Sequence, residues 1–318
     1  MKRSMSILGR AAALSTLIVA TGVSTVQATE TMAAASVALL AGPAGPRTFV
    51  RPEPITALRA PTANFVVTYN GFTPAARAAF QRAVDIWAQK VASPVPITVS
   101  ATFQPLATGV LGSASSSFVF RNFPGAPRTD TWFVDAIANK RAGRQLNPAP
   151  DIVANFSSVF PNWHYGAGPA PAGTYDFTAV VLHELGHGLG FLGAGNVSGN
   201  RGTVRTLGSP IIYDVFVENG AGTRLLTGFA DNSVPLGNQL RGNNLFFDSP
   251  RVRLANGSLR AKLYAPAVFN PGSSYSHLDE ATYRRGNPNS LMTPFLGQGE
   301  TIRQPGPITL AIFKTIGW

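Results

Sequence analysis

The chain contains no cysteine. That excludes disulfides, thiolate zinc sites, iron–sulfur clusters and cysteine nucleophiles, and it leaves His, Asp and Glu as the residues able to hold a metal. Histidine is scarce as well: the 318 residues include four, His164, His183, His187 and His277. Charge is sparse, with Asp, Glu, Lys and Arg making up 13% of the chain. No apolar run reaches the ~20 residues that a membrane-spanning helix requires. The 26 basic residues against 15 acidic ones give a net charge of +11, yet they are mostly scattered arginines, densest at Arg284-Arg285. With no Lys/Arg run and no interleaved aromatics, a nucleic-acid partner is not indicated and a solvated basic surface is expected.

Apolar material is plentiful. Hydrophobic residues are 45% of the chain, including 20 Phe and 4 Trp, which is enough for a sizeable core and too much for a disordered chain. The 32 Gly and 25 Pro follow no Gly-X-Y period, so collagen is excluded and a loop-rich globular protein is expected in place of a helical bundle. The length fits one large domain or two smaller ones.

Residues 1–28 have the make-up of a cleaved signal peptide: basic Lys2, Arg3 and Arg10, an apolar stretch from Ala11 to Val23, and small residues at Val26 and Ala28. Ser15, Thr16, Thr21 and Ser24 interrupt the stretch, which argues against a retained anchor. Cleavage removes three basic and no acidic residues, leaving 23 against 15 and a net +8. The mature chain is therefore expected outside the cytoplasm, extracellular or periplasmic, without a membrane span. A secreted chain without disulfides points to a bacterial source.

Residues 29–60 are rich in Ala, Pro and Arg without a clear period, and are expected to form a flexible arm or short pro-segment. Residues 61–193 follow as a first subdomain. Asn64–Tyr69 alternates as a strand, and Thr73-Pro74 is a helix start with Thr as cap and Pro at the first helical position. Ala76, Phe80, Ala83, Val84, Trp87 and Val91 continue at helical spacing. Ile97–Phe103, Ser116–Phe120 and Asp151–Ser157 have strand character. A loop marked by Gly166, Gly168, Pro169, Pro171 and Gly173 leads to a second helix over Phe177–Leu189, with Asp176 as its cap. Residues 194–318 form a second, irregular subdomain: short strands and loops to Ser274, and a closing helix from Ile308 to Trp318. The expected class is α+β, a twisted mixed sheet with two long helices, an irregular C-terminal subdomain and a cleft between the two halves.

Chemistry concentrates at residues 183–187, His-Glu-Leu-Gly-His. Positions i and i+4 share a helix face, so His183 and His187 can hold one metal from successive turns. Glu184 lies beside them, within reach of a water on that metal, as in zinc hydrolases that use Glu as general base. Half of the chain's histidines fall within these five residues, on the apolar helical segment that the pattern requires. A catalytic zinc takes three protein ligands and keeps one position open. His277, in Ser274-Tyr-Ser-His-Leu-Asp279, is the only histidine downstream. Glu218, in the strand-like Tyr213-Asp-Val-Phe-Val-Glu218, is the competing third ligand, and Asp214 shares that segment.

His183, Glu184, His187, Gly190 and Phe191, then a distant Ser276-His277, then Met292 in Ser290-Leu-Met-Thr-Pro294, resemble the leishmanolysin-like branch of the metzincin metallopeptidases. The closing Leu310–Trp318 segment resembles that branch too, so the resemblance covers roughly residues 150–318. It implies a metzincin-like fold and a secreted zinc endopeptidase acting on proteins or peptides, expected to be a monomer. His183, His187 and His277 would be the zinc ligands, Glu184 the catalytic base and Met292 the apolar floor of a Met-turn. Gly193 stands where many metzincins place the third histidine, so that ligand comes from elsewhere. The chain departs from the eukaryotic members in lacking cysteines, and with them a cysteine-based latency switch. An extended substrate would pair with a sheet edge, and Asp151–Ser157 is the strand expected there.

Other groups carry weaker signals. His164 is expected to be a loop residue. Asp279 and Glu280 could support a zinc histidine or cap a turn, and Tyr275 and Tyr283 could approach the reacting carbonyl. The loops around Asp231 and Asp248 could take calcium, although no EF-hand pattern is present. The competing function is a secreted binding or surface protein whose zinc is structural or inactive, which leaves the intact Glu184 without a purpose.

Overall fold

The computed structural model describes residues 29–53 and 60–318. The signal-peptide reading of residues 1–28 lies outside them. The first half of the described chain forms β1 (Glu30–Ala33), β2 (Val37–Ala41), β3 (Thr48–Val50), β4 (Phe65–Asn70), α1 (Pro74–Ala88), β5 (Ile97–Gln104), β6 (Val110–Ser116), β7 (Phe118–Arg121), β8 (Phe133–Val134), α2 (Asp135–Ala142) and β9 (Ile152–Ser157). Short strands β10 (Trp163–His164) and β11 (Tyr175–Asp176) lead into α3 (Phe177–Gly188). Beyond it come β12 (Asn196–Ser198), β13 (Arg201–Thr203), β14 (Val217–Asn219), α4 (Leu225–Gly228), α5 (Val234–Leu240), β15 (Leu245–Phe247), α6 (Pro250–Ala255), β16 (Ala261–Leu263), β17 (Phe295–Leu296), β18 (Glu300–Ile302) and α7 (Pro307–Ile316). The class is α+β, with several sheets and seven α-helices among the described residues.

The largest sheet has six strands in the order β17-β2-β6-β9-β5-β4. It is mixed: β4, β5 and β9 run parallel, β6 is antiparallel to β9, β2 is antiparallel to β6, and β17 is parallel to β2. Period-two burial explains the interior strands. Ile97, Val99 and Ala101 of β5 and Ile152, Ala154 and Phe156 of β9 all point into the core.

Two expectations change here. The segment 29–60 is not a free arm: its described part supplies β1, β2 and β3, and β2 joins the main sheet. The Val37 and Leu39 side chains are buried, and their alternation is the strand signal that the Ala-rich composition concealed. Strand β9 is not an edge either, since it lies between β6 and β5. On that side the sheet continues through β6 and β2 to β17, which is the edge strand.

Helix α1 begins as its sequence dictates: Thr73 Oγ1 accepts the Ala76 N–H, and Pro74 occupies the first turn. It lays Phe80 edge-on against Phe156 at 5.6 Å and sends Trp87 Nε1–H to the Leu182 carbonyl at 2.9 Å. Replacing Phe80 by Ala would cost about 3–5 kcal/mol, as for other buried aromatics. Helix α3 packs on α1 and across β2, β6 and β9. Its cap is Asp176, whose Oδ1 accepts the Ala179 N–H at 2.7 Å. Both oxygens of Asp176 also face Arg303, at 2.6 and 2.7 Å, in a buried pair that ties the start of α3 to β18. The helix stops at Gly190, where φ is +117° and an added Cβ would lie 3.1 Å from Ile316 Cδ1 of α7. Trp318 Nε1–H then caps the Leu189 carbonyl at 2.7 Å. The stretch from Leu192 to Ser274 is less irregular than its Asn and Gly content suggests, because α5 and α6 form there, each with a Ser cap followed by Pro.

Candidate metal centre and catalytic residues

Helix α3 delivers His183, Glu184 and His187 to the side of the sheet where β6 and β2 pair. His277 comes from the loop after β16, 90 residues beyond His187 in the chain. The three imidazoles meet through their Nε2 atoms, at 2.9 Å between His183 and His187 and 3.2 Å for each to His277. All three rings are buried, and among the described residues this is the group whose ligand atoms can share one metal ion.

Each outer nitrogen faces a backbone carbonyl. His183 Nδ1 lies 2.5 Å from Leu291 O, His187 Nδ1 2.7 Å from Phe191 O, and His277 Nδ1 2.6 Å from Ser273 O. A carbonyl only accepts, so each Nδ1 carries the proton and each Nε2 presents a lone pair. Burial keeps the rings neutral: it lowers His183 to about 4 and pushes His187 and His277 well below the usual imidazole value. Three lone pairs aimed at one another at 2.9–3.2 Å repel unless a cation lies between them. Nitrogens on a tetrahedral zinc at ~2.0–2.1 Å are about 3.3 Å apart, so the residues fit zinc in donor type, number and spacing.

Glu184 is fully buried, and burial raises its carboxyl well above the usual value. Its Oε1 accepts the Leu39 N–H at 3.0 Å, while Oε2 has no protein partner. Gly112 of β6 is what lets the carboxylate reach this place, since a Cβ there would be 3.0 Å from Glu184 Cγ and 3.2 Å from Oε1. Met292 is also buried, in a 3-10 turn over Ser290–Met292. Its sulfur packs against α3 at Gly186, where an added Cβ would sit 2.8 Å from it. The same turn supplies the Leu291 carbonyl to His183 and accepts the Leu278 N–H at 2.8 Å.

Gly193 has a physical reason to be glycine: a Cβ would fall 2.3 Å from the Tyr275 ring and 2.6 Å from Asp214 Oδ1. Asp214 accepts N–H groups from Ala194 and Ile211 and so pins the chain as it leaves α3. Burial raises its carboxyl to about 7.

Several sequence candidates lie apart from the histidines. Glu218 is engaged by Arg260 at 2.8 Å and Arg224 at 3.4 Å, and its segment is a 3-10 turn over Asp214–Phe216 followed by β14, not one continuous strand. His164 sits in β10 with Nε2 3.2 Å from Gly168 O. Asp279 caps Thr282 and pairs with Lys262 at 3.6 Å. Glu280 is half-buried, and burial lifts its carboxyl to about 7. Tyr283 accepts the Lys262 N–H, and Tyr275 packs on Gly193 and Gly195. Asp231 accepts the Val204 N–H, and Asp248 binds Arg253 at 2.7 Å. These carboxylates are committed to protein partners, which removes the basis for calcium at either loop.

Leu39 and Gly112 escaped the sequence reading. Their roles are a backbone N–H and a missing side chain, and neither leaves a compositional mark. A cavity of about 540 Å³ is walled on one side by Met32–Val37 and on the other by Leu192–Asn196 with Ser274 and Ser276, and the three histidines and Glu184 are not in its lining. Compared with known proteins, the chain matches no protein-family model, no curated protein and no solved structure.

Proposed function

We propose that the protein is a zinc-dependent endopeptidase of the metzincin type, acting on proteins or peptides outside the cytoplasm. The observation that carries this reading is the meeting of three neutral imidazoles, each oriented by a carbonyl, beside a buried glutamate with one oxygen unpartnered. The donor set favours zinc over harder cations, which prefer oxygen ligands. When bound, zinc supplies Lewis acidity and lowers the pKa of water toward ~7.

The chain's own residues perform the remaining tasks. His183, His187 and His277 hold the ion while their Nδ1 protons stay fixed on carbonyls. Glu184 takes a proton from the attacking water and returns it to the departing nitrogen. Burial raises its carboxyl above the usual value, which makes it a stronger proton acceptor than a solvated glutamate. Met292 excludes water beneath the histidines. The alternative, a binding or surface protein with a structural zinc, is less well supported: a closed structural site takes four protein ligands, and the described group has three.

The test is casein hydrolysis by the purified zinc-loaded chain beside Glu184→Gln. Zinc content should be equal in the two, with kcat/KM lower in the variant by about 10²–10⁴-fold, the usual worth of a positioned proton-transfer group. Equal activity in both would sink the assignment of the base. Zinc bound without activity in either would favour the structural-zinc reading.

A further inference from the structure

Strand β2 passes beside Glu184. Its backbone N–H groups have an unusual set of partners: Ala38 donates to Gly272 O, Leu40 to Pro294 O, Ala41 to Gly109 O and Gly42 to Leu296 O, at 2.7–3.1 Å. Four of five consecutive N–H groups therefore go to carbonyls. The exception is Leu39, whose N–H donates to Glu184 Oε1 at 3.0 Å. The segment is extended, antiparallel to β6 with Leu39 opposite Gly112, and parallel to β17, which follows the Met292 turn. Leu39 is buried, and Ala38 lies against the loop that carries His277.

We propose that the chain is its own first substrate and that the bond it cuts is Ala38–Leu39, an inference that rests on the peptidase reading above. The nitrogen that leaves when a peptide bond is hydrolysed must receive a proton, and the nitrogen that Glu184 touches is that of Leu39. The oxygen of a water bonds to the Ala38 carbonyl carbon. The bond from that carbon to Leu39 nitrogen breaks, with its electron pair staying on nitrogen. Glu184 passes the water's proton to that nitrogen, leaving a carboxylate on Ala38 and an amine on Leu39. Before the cut, β2 denies the β6 edge to other chains. Afterwards, residues on the Ala38 side are held by the pairing of β1 with β7, by Val37 and Ala38 on β6 and by the Ala38 bond to Gly272, with no covalent link to Leu39, and their departure opens the cavity that Met32–Val37 now walls. The same geometry specifies the substrate class: a small residue before the cut, an apolar one such as leucine after it, and an extended backbone on both sides.

Purified full-length chain should be incubated with zinc beside Glu184→Gln and followed by intact mass and N-terminal sequencing. The wild type should acquire Leu39 as its N-terminus while the variant keeps the bond. A synthetic peptide of residues 34–44 should be cut between its Ala38 and Leu39, and a peptide with Leu39→Asp should be cut about ten-fold or more slowly. The peptide arm is independent of how a substituted chain folds. Self-cleavage at another bond, or cleavage at 38–39 in the Glu184→Gln chain, overturns the proposal. Casein hydrolysis with Ala38–Leu39 uncut in chain and peptide also overturns it, while leaving the peptidase reading in place. Zinc bound with casein, peptide and chain all uncut overturns both.

Discussion

His183 and His187 share a helix, so their spacing is set by the pitch of α3. His277 is held by other means: Tyr264 N–H bonds the His277 carbonyl at 2.9 Å, Ser273 O takes the proton of its Nδ1, and Leu278 N–H reaches Met292 O. Two of these contacts lie within the loop after β16 and the third comes from the Met292 turn, so this candidate ligand depends on the assembled C-terminal half. His277→Ala is therefore expected to lose stoichiometric zinc, whereas Glu218→Ala should keep it, because Glu218 already satisfies two arginines. Metal analysis of the two purified variants decides the matter, and full zinc in the His277 variant would reject the ligand set. The Glu218 change leaves Arg260 with carbonyl partners at Asn219 and Gly220, so its cost should fall on stability.

At the scale of elements, α2 shows how a buried carboxylate sets pH behaviour. Asp135 opens this helix, is fully buried, and accepts hydrogen bonds from Asn139 and Asn147. Burial first, opposed by the bond from Asn147, and then the nearby Asp151 charge, raise its carboxyl from 3.8 to about 7. The folded state thus holds a proton that the unfolded chain releases. The stabilisation is complete below pH 3.8 and is lost as pH rises to about 7. Asp135→Asn should flatten the stability curve across that window, by at most roughly 1.4 kcal/mol per pH unit for a single proton. Urea midpoints at pH 4, 5.5 and 7 would show it, and an unchanged slope would place the titration elsewhere. The short strand β2 illustrates a second point about elements. It is only five residues long, yet it joins β17 to β6 in the main sheet beside Glu184, so its partners matter more than its length.

For the whole molecule, a metal ion on the three histidines would add a tie between parts already joined by β2–β17 pairing, the Asp176–Arg303 pair and the Trp318–Leu189 hydrogen bond. Two ligands come from α3 and one from the loop after β16, so an ion bound there links the two halves of the chain. Chelation should lower Tm, since a ligand at 1,000 times its Kd contributes about 4 kcal/mol of stability. Acid should also destabilise the metal-free chain. Its buried imidazoles resist protonation when folded, His183 down to about 4, but accept protons near pH 6.5 when unfolded. The folded state is therefore favoured above pH 6.5, and that advantage falls away as pH drops toward 4. Scanning calorimetry with and without chelator at pH 7.5 and 5 tests both statements. Equal Tm values with and without zinc would mean that the ion does not bridge the halves.

Much of this was legible from residues alone. The His-Glu-Leu-Gly-His pattern on an apolar helix, the Thr73 and Asp176 caps, the alternation of β5 and β9, and the α+β class are local consequences of side-chain chemistry and spacing, and short-range rules reach them. Other features depended on the chain meeting itself. Whether His277 or Glu218 joins the helical pair is decided by two arginines that claim Glu218 and by the Ser273 carbonyl that turns His277 inward. An Ala-rich stretch became β2 because it pairs with β6 and β17 and because the carbonyls of Gly272, Pro294 and Gly109 take its N–H groups, and such pairing is a non-local choice. Gly112 and Gly193 work through the space that they leave empty, and the neighbours that need that space lie far along the chain. Sequence supplied the reactive groups and their local frame. Tertiary structure alone brought a third imidazole to the pair and placed one peptide nitrogen of the chain against Glu184, because long-range contacts are fixed by packing and not by spacing.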